Sequence, residues 1–193
     1  MLNFNEISVE ETFQAKESVC VGGDIEGLTE IASVNILGDV FVGGHIRDIQ
    51  SIYVSGNLVV LGDIKNVRTM IVERNMIVIG AMILRGDLAV GKDLLFANCL
   101  TSTGSVKVSG SLISHGFIDL KNHLEISEKL VAAEFVSTQG YIEAGKDIFV
   151  NGTLISRNYI KTDGNVVARG RLRSENALNI RGKISLIENE TKI

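Results

Sequence analysis

The residues of this sequence that most readily carry catalysis or bind a metal are three histidines and two cysteines. Metal sites bring three or four such side chains together, and nucleophilic catalysis needs a base beside the nucleophile. His45, His115 and His123 lie at unrelated spacings with no cysteine near them, and Cys20 and Cys99 are far apart. We therefore expect surface histidines and two reduced cysteines, with no catalytic residue, no metal site and no cofactor site.

A recurrent set of Asp and Asn residues is the other candidate for ion binding. Its members are Asp24, Asp39, Asn57, Asn75, Asp93, Asp147 and Asn165. A stacked row of carboxylates could bind cations, but the glycine-rich calcium-binding nonapeptide is missing. Asp and Asn also favour chain corners, because their side chains bond to nearby backbone. We expect that structural role here. The GGDIEG stretch at residues 22–27 is not a phosphate loop, since no Lys-Ser/Thr pair follows it.

These polar residues belong to an 18-residue repeat that must position every other side chain. Apolar anchors recur six residues apart in each repeat, as at Val40, Ile46 and Ile52. Glycines recur between the anchors, at Gly44, Gly62, Gly80, Gly116, Gly152 and Gly170. We expect positive φ at these corners, which glycine tolerates. Three short strands and three corners make a triangular coil, and neighbouring coils pair in parallel at about 4.8 Å. The repeat therefore predicts an all-β fold, a single-stranded parallel β-helix with about ten coils.

The repeat predicts a single β-helix domain over residues 1–193. Ile7, Phe13 and Val19 keep the six-residue spacing, which predicts a coil over residues 4–21. The following coil, residues 22–36, is expected to contain only 15 residues, and residues 187–193 form a short C-terminal tail.

Two known families have coils of this size. The left-handed hexapeptide repeat needs a small inward residue two places before the aliphatic anchor. That place holds Arg74, Lys92, Glu128 and Lys146, and unpaired charges do not fit a narrow core. Repeats such as SGNLVVLGDIKNVRTMIV and GKDIFVNGTLISRNYIKT instead resemble the bactofilins, bacterial polymer-forming cytoskeletal proteins. The resemblance implies a right-handed triangular β-helix and a non-enzymatic structural role.

One repeat position is apolar although it should point outward, because it lies between two inward positions of a strand. The residues are Phe41, Val59, Ile77, Leu95, Ile113, Val131, Phe149 and Val167. The position becomes polar at Ser185, and we expect its first-coil equivalent to be Ser8. The alternative explanation is that such residues favour β-strands and need no binding partner. A continuous exposed apolar stripe, however, indicates an interaction site. We predict a lateral interface here, first with a second copy and otherwise with another protein.

Charge is distributed unevenly along the predicted axis. Residues 1–36 carry seven acids and one lysine, a net of −6, whereas residues 145–193 carry nine bases and five acids, a net of +4. We predict an axial interface between Glu6, Glu10 and Glu11 of one copy and Arg169, Arg171, Arg173, Arg181 and Lys183 of the next. Drift of surface charge and peripheral association of the basic end with an anionic membrane are the alternatives.

Composition limits the remaining function classes. The formal net charge of −4 and the lack of aromatic residues at the basic end argue against a nucleic-acid partner. The sequence shows neither a signal peptide nor a membrane-spanning run, so we expect a cytoplasmic protein. We expect a scaffold that forms homo-oligomers or filaments. The alternative is a protein- or ligand-binding module that uses the apolar stripe without polymerising, and an enzyme is the least favoured class.

Overall fold

A computed structural model describes residues 1–187, and residues 188–193, most of the predicted tail, lie outside the described residues. Thirty-one short strands, joined by turns, form three parallel sheets over the described range. The predicted triangular β-solenoid of about ten coils is thus confirmed. No helix of the described residues could cross a membrane.

Each sheet forms one face of the triangular prism, and successive coils contribute one strand to each. Sheet 1 contains β1 (Leu2–Phe4), β4 (Val19–Val21), β7 (Val40–Val42), β10 (Leu58–Val60), β13 (Met76–Val78), β16 (Leu94–Phe96), β19 (Leu112–Ser114), β22 (Leu130–Ala132), β25 (Ile148–Val150), β28 (Val166–Ala168) and β31 (Ile184–Leu186). Sheet 2 contains β2 (Ile7–Val9), β5 (Ile25–Gly27), β8 (Ile46–Arg47), β11 (Ile64–Val67), β14 (Met82–Leu84), β17 (Leu100–Ser102), β20 (Ile118–Leu120), β23 (Val136–Thr138), β26 (Leu154–Ser156) and β29 (Leu172–Ser174). Sheet 3 contains β3 (Thr12–Ala15), β6 (Ser33–Ile36), β9 (Ser51–Val54), β12 (Thr69–Val72), β15 (Leu88–Val90), β18 (Val106–Val108), β21 (Leu124–Ile126), β24 (Ile142–Ala144), β27 (Tyr159–Thr162) and β30 (Ala177–Ile180).

The predicted anchors form the core. In β19, Leu112 and Ser114 are buried while Ile113 between them is exposed, as the two-residue period of a strand requires. Leu112 lies directly between Leu94 and Leu130 of the adjacent coils. Identical positions therefore stack into continuous apolar columns inside the prism, and each coil buries side chains of its neighbours as well as its own.

Glycine occupies the corners for a different reason from the one predicted. None of the glycines in residues 1–187 has a positive φ, so the expectation of left-handed backbone was wrong. The constraint is close approach between coils. A Cβ atom added at Gly56 would lie 2.5 Å from the carbonyl oxygen of Gly38 in the preceding coil, and one at Gly80 would lie 2.5 Å from the carbonyl carbon of Gly62. Glycine is needed because the stacked corners leave no room for a side chain.

The Asp and Asn residues do lie at corners, as expected, and they join one coil to the next. The backbone N–H of Asn57 donates to Oδ1 of Asp39 at 2.7 Å, and that of Asn165 donates to Oδ1 of Asp147 at 2.8 Å. The Asn165 N–H holds the pKa of the Asp147 carboxyl below its usual value. Asp24 lies at another corner, just before sheet 2, where it accepts the N–H of His45. These side chains therefore bond the backbone of the following coil rather than their own.

The prediction for the first coils was wrong in register. Ile7 lies in sheet 2, where it pairs with Ile25, and Val19 pairs with Val40, 21 residues further on, in sheet 1. The second coil is thus longer than 18 residues, and the 15-residue coil at 22–36 does not exist. Its extra residues lie in the segment 28–32, which connects β5 to β6 at the edge between sheets 2 and 3.

Candidate functional site: the apolar wall

The outer face of sheet 1, here called the apolar wall, carries the predicted stripe. Adjacent strands place its residues directly opposite each other, so that Leu95 lies beside Ile77 on one side and Ile113 on the other. The full stripe consists of Phe41, Val59, Ile77, Leu95, Ile113, Val131, Phe149 and Val167. At about 4.8 Å per coil, eight such residues form a ladder roughly 34 Å long.

These side chains face solvent, although they shield one another. Phe41, Ile113 and Phe149 are 39–40% exposed, and the other five are half-buried. Each rung covers part of its two neighbours, which explains why none is fully exposed on a flat sheet. The stripe is therefore an exposed apolar surface rather than a second core.

The ends of the stripe are polar or small. Ser185 follows Val167 at the C-terminal end, as expected. At the N-terminal end the preceding rungs are Cys20 and Asn3. The expectation that Ser8 holds this place was wrong, because Ser8 lies in sheet 2 opposite Glu26.

The apolar surface is wider than the stripe, which the sequence had not indicated. Leu61 and Ile79, which follow β10 and β13, are about half exposed. Phe117 and Phe135, just before sheet 2, stack with ring centroids 4.9 Å apart, and Ile83 is exposed on sheet 2. The surface thus continues around the corner from sheet 1 to sheet 2. These residues occupy three different repeat positions, so only a comparison of exposed corner positions between coils could have revealed them.

From β18 onwards, the outer face of sheet 3 differs from the apolar wall because it carries charged side chains, with aromatic rings beside them. Lys107 pairs with Glu125 at 3.4 Å, and the rings of Tyr141 and Tyr159 stack at 4.8 Å. The Tyr141 hydroxyl donates to Glu125, and this bond raises the pKa of Tyr141 to about 12 and lowers that of Glu125. These side chains bond to one another, and the polar surface they form does not suit an apolar partner.

The outer face of sheet 2 is polar at its N-terminal end. Arg47 bonds Asp24 at 2.5 Å, and Lys65 pairs with Asp63 at 2.7 Å. The lysine holds the pKa of Asp63 below its usual value. At this end sheet 2 therefore offers ion pairs rather than an apolar face.

The residues of the predicted axial interface lie at opposite ends of the solenoid. Glu6, Glu10 and Glu11 are exposed in the first coil. The basic residues Arg169, Arg171, Arg173, Arg181 and Lys183 are exposed in the last coils. Two of the latter already have acidic neighbours, since Arg181 lies 3.2 Å from Asp163 and Arg173 lies 4.0 Å from Glu175. The last coil also exposes the anchor-type residues Leu178 and Ile184.

The histidines and cysteines do not converge. Within residues 1–187 no group of three His, Cys, Asp or Glu side chains could hold a metal ion. Nδ1 of His45 accepts the backbone N–H of Asp63 at 2.8 Å, and Nδ1 of His123 accepts that of Tyr141 at 3.2 Å. These two histidines therefore act as corner acceptors in the same way as the Asp and Asn residues. Both cysteines are free, and burial raises the pKa of the Cys99 thiol.

Comparisons with known proteins add no relative. No protein-family model matches the chain. No curated protein matches it, and no solved structure does.

Proposed function

We propose that this chain is a non-enzymatic structural protein that self-associates through its apolar wall, in the manner of the bactofilins it resembles in sequence pattern. The observation that carries the proposal is the unbroken ladder from Phe41 to Val167 on one face of the prism. Exposed apolar patches of this extent mark interaction sites in soluble proteins.

The size of the wall suits a second copy of the same chain. Eight coils at about 4.8 Å and six residues per edge at about 3.3 Å give a face of roughly 34 by 20 Å. This is close to the roughly 800 Å² that each partner contributes to a standard interface. Two identical flat ladders are also self-complementary, as a two-fold interface requires.

Charge favours an antiparallel pair over a parallel one. The first 36 residues have a net charge of −6, and residues 145–193 have one of +4. Antiparallel packing of two walls sets the acidic end of one copy beside the basic end of the other. Parallel packing would set like charges side by side, which opposes association.

The test is the double substitution Leu95→Lys and Ile113→Lys at the centre of the wall. It places unpaired charge in the middle of the interface, so a sizing column run at several concentrations, in salt that screens the end charges, should show only monomer. Ile71→Lys with Ala89→Lys is the matched control, since these residues are also neighbours in adjacent coils but lie outward on sheet 3. The control should associate as the wild type does. A wild type that stays monomeric at every concentration would contradict the proposal.

A binding module for another protein is the second candidate. It is favoured by the continuation of the apolar surface around the corner to Phe135 and Ile83, which a flat two-fold contact between two walls leaves uncovered. A fixed monomer whose wall variants lose a heterologous partner would support this candidate instead.

We further propose end-to-end contact between the acidic first coil and the basic last coil. Among residues 1–187, the terminal strands β1 and β31 each have a neighbour on one side only, and free strand edges accept further pairing. The contact should weaken with salt, because the Debye length is about 8 Å at physiological ionic strength.

Light scattering across a salt series tests the axial contact. Arg169, Arg171 and Arg173 changed together to Glu should abolish salt-sensitive growth. The same change at Arg68, Arg74 and Arg85, which lie outside the basic end, should leave it intact. A wild type of constant size at low salt would exclude the axial contact while leaving the lateral one open.

A further inference from the structure

The regular solenoid is interrupted at the edge between sheets 2 and 3 in the second to fourth coils. Five residues, 28–32, connect β5 to β6, whereas three connect β17 to β18 in a regular coil. The pairing of β11 with β14 also shifts between Lys65 and Val67. Later coils close the same edge without either feature, so the fold itself does not require them.

Backbone conformation marks the same place. Asp48 and Asn66 have φ values of 57° and 56°, and no other non-glycine residue in residues 1–187 has a positive φ. They occupy successive coils, and Nδ2 of Asn66 donates to Oδ1 of Asp48 at 2.9 Å. Asn and Asp tolerate this region better than other residues, yet it carries strain, and such strain clusters at ligand sites.

A cleft of about 940 Å³ opens between the inserted loop and these two turns. Its loop side presents Leu28 and Ile31, which are 54% and 62% exposed. Buried Ile49 also lines the cleft, as do Gln50 and Asn66, whose side chains carry amides. The cleft therefore combines an apolar flank with hydrogen-bond donors, as small-molecule sites do.

Two arginines complete the lining. The N–H of Arg85 donates to the carbonyl of Val67, the residue before Arg68, at 2.8 Å, so the two arginines lie one coil apart. Both are exposed, and within the described chain neither forms an ion pair with a carboxylate. Arg68 lies between β11 and β12 and Arg85 follows β14, so both lie in stacked turns, where like charges repel each other. An anion between the two guanidinium groups would remove that repulsion.

We propose that this cleft binds a small organic carboxylate with an apolar body. The planar forks of Arg68 and Arg85 match a carboxylate in geometry and charge. Leu28 and Ile31 would cover the apolar body. Glu30 and Asp48 also line the cleft, and their charges favour a single negative charge on the ligand over the two of a phosphate.

Calorimetric titration of the full chain with hexanoate, acetate and inorganic phosphate tests the assignment. Hexanoate should bind saturably, and acetate at least about tenfold more weakly, the loss expected if two of the four additional methylene groups of hexanoate are buried. Arg68→Gln should weaken hexanoate binding at least about tenfold, since a charge-assisted bond is lost. Glu30→Gln should strengthen the binding of both hexanoate and phosphate.

Matched variants separate the cleft from general surface charge. Arg157 lies at the same repeat position as Arg85, where its N–H likewise donates to the preceding coil, at Thr138. Arg157→Gln should leave hexanoate binding unchanged, and Leu28→Ser with Ile31→Ser should make hexanoate bind no better than acetate. The proposal is overturned if wild type binds hexanoate no tighter than acetate, if no ligand saturates, or if Arg157→Gln weakens binding as much as Arg68→Gln. Because the cleft lies away from sheet 1, these results do not depend on self-association.

Discussion

Replacement of Leu112 by Asp tests whether the stacked apolar columns hold the solenoid together. Leu112 is fully buried between Leu94 and Leu130. Loss of its packing alone costs about 2–5 kcal/mol, as for other buried leucines changed to alanine. Burial of a carboxylate without a partner adds several kcal/mol. Since whole domains have about 5–15 kcal/mol of stability, we expect Leu112→Asp to unfold the central coils.

Leu112→Ala provides the graded measurement. A loss of about 3 kcal/mol should lower the melting temperature by roughly 6–12 °C in a chain of this size. Hydrogen exchange should locate the loss in the coils around β19, because each coil of a solenoid contacts only its neighbours. This local readout matters because long repeat arrays can depart from two-state unfolding.

The adjacent residue supplies the control. Ile113 is 40% exposed on the apolar wall of a single copy, so at concentrations where the chain is monomeric Ile113→Asp should change the free energy of unfolding by less than about 1 kcal/mol. Wild-type melting of Leu112→Asp would refute the assignment of this column to the core. Equal destabilisation of the monomer by Ile113→Asp would show that this position also faces the core.

Two further predictions concern the corners and sheet 3. Gly56→Ala should cost about 1–3 kcal/mol of folding free energy by overpacking, because its Cβ would lie 2.5 Å from the Gly38 carbonyl. Gly22→Ala is the control, since the nearest atom to its Cβ would be 3.9 Å away, and it should be nearly neutral in denaturant titration. Tyr141, with a pKa raised to about 12 by Glu125, should ionise late in an ultraviolet titration, and Glu125→Gln should bring its pKa back towards 10. Because the pKa of Tyr141 is higher in the folded state, the stabilisation from this bond is complete below about pH 10 and is lost as the pH rises through about 12. An unchanged Tyr141 titration in Glu125→Gln would show that Glu125 does not raise the pKa of Tyr141.

The core of the solenoid was predictable because its cause is local and periodic. Anchors such as Leu58, Ile64 and Met70 repeat at a fixed spacing, and only a coil whose edges all point apolar residues inward satisfies that spacing. The same periodicity made the register of the first coils unpredictable. All three edges of the triangle have the same six-residue period, so the spacing of Ile7 and Val19 cannot say to which edge each residue belongs. That choice depends on where the extra residues of the second coil are placed.

The sequence did not predict the cleft or the wider apolar surface, for two different reasons. Asp48 and Asn66 look like ordinary corner residues in the sequence, and their left-handed backbone follows from the geometry of two stacked turns. Leu61 and Ile79 belong to a repeat position that becomes polar further along the chain. Their exposure depends on how sharply each corner turns, which the repeat does not encode.

The two proposed contacts have different consequences for the size of the assembly. A lateral two-fold contact uses the apolar wall of both copies and closes on itself, so alone it stops at a dimer. In an antiparallel dimer, however, each end of the pair presents one acidic first coil and one basic last coil. A second dimer approaching along the axis then meets complementary charge on both of its chains at once, and this doubled contact gains from effective concentration. Since an axial contact of this kind does not close, a paired filament follows from the two contacts together. Substitutions that block the wall should therefore also weaken axial growth, although they lie far from either end.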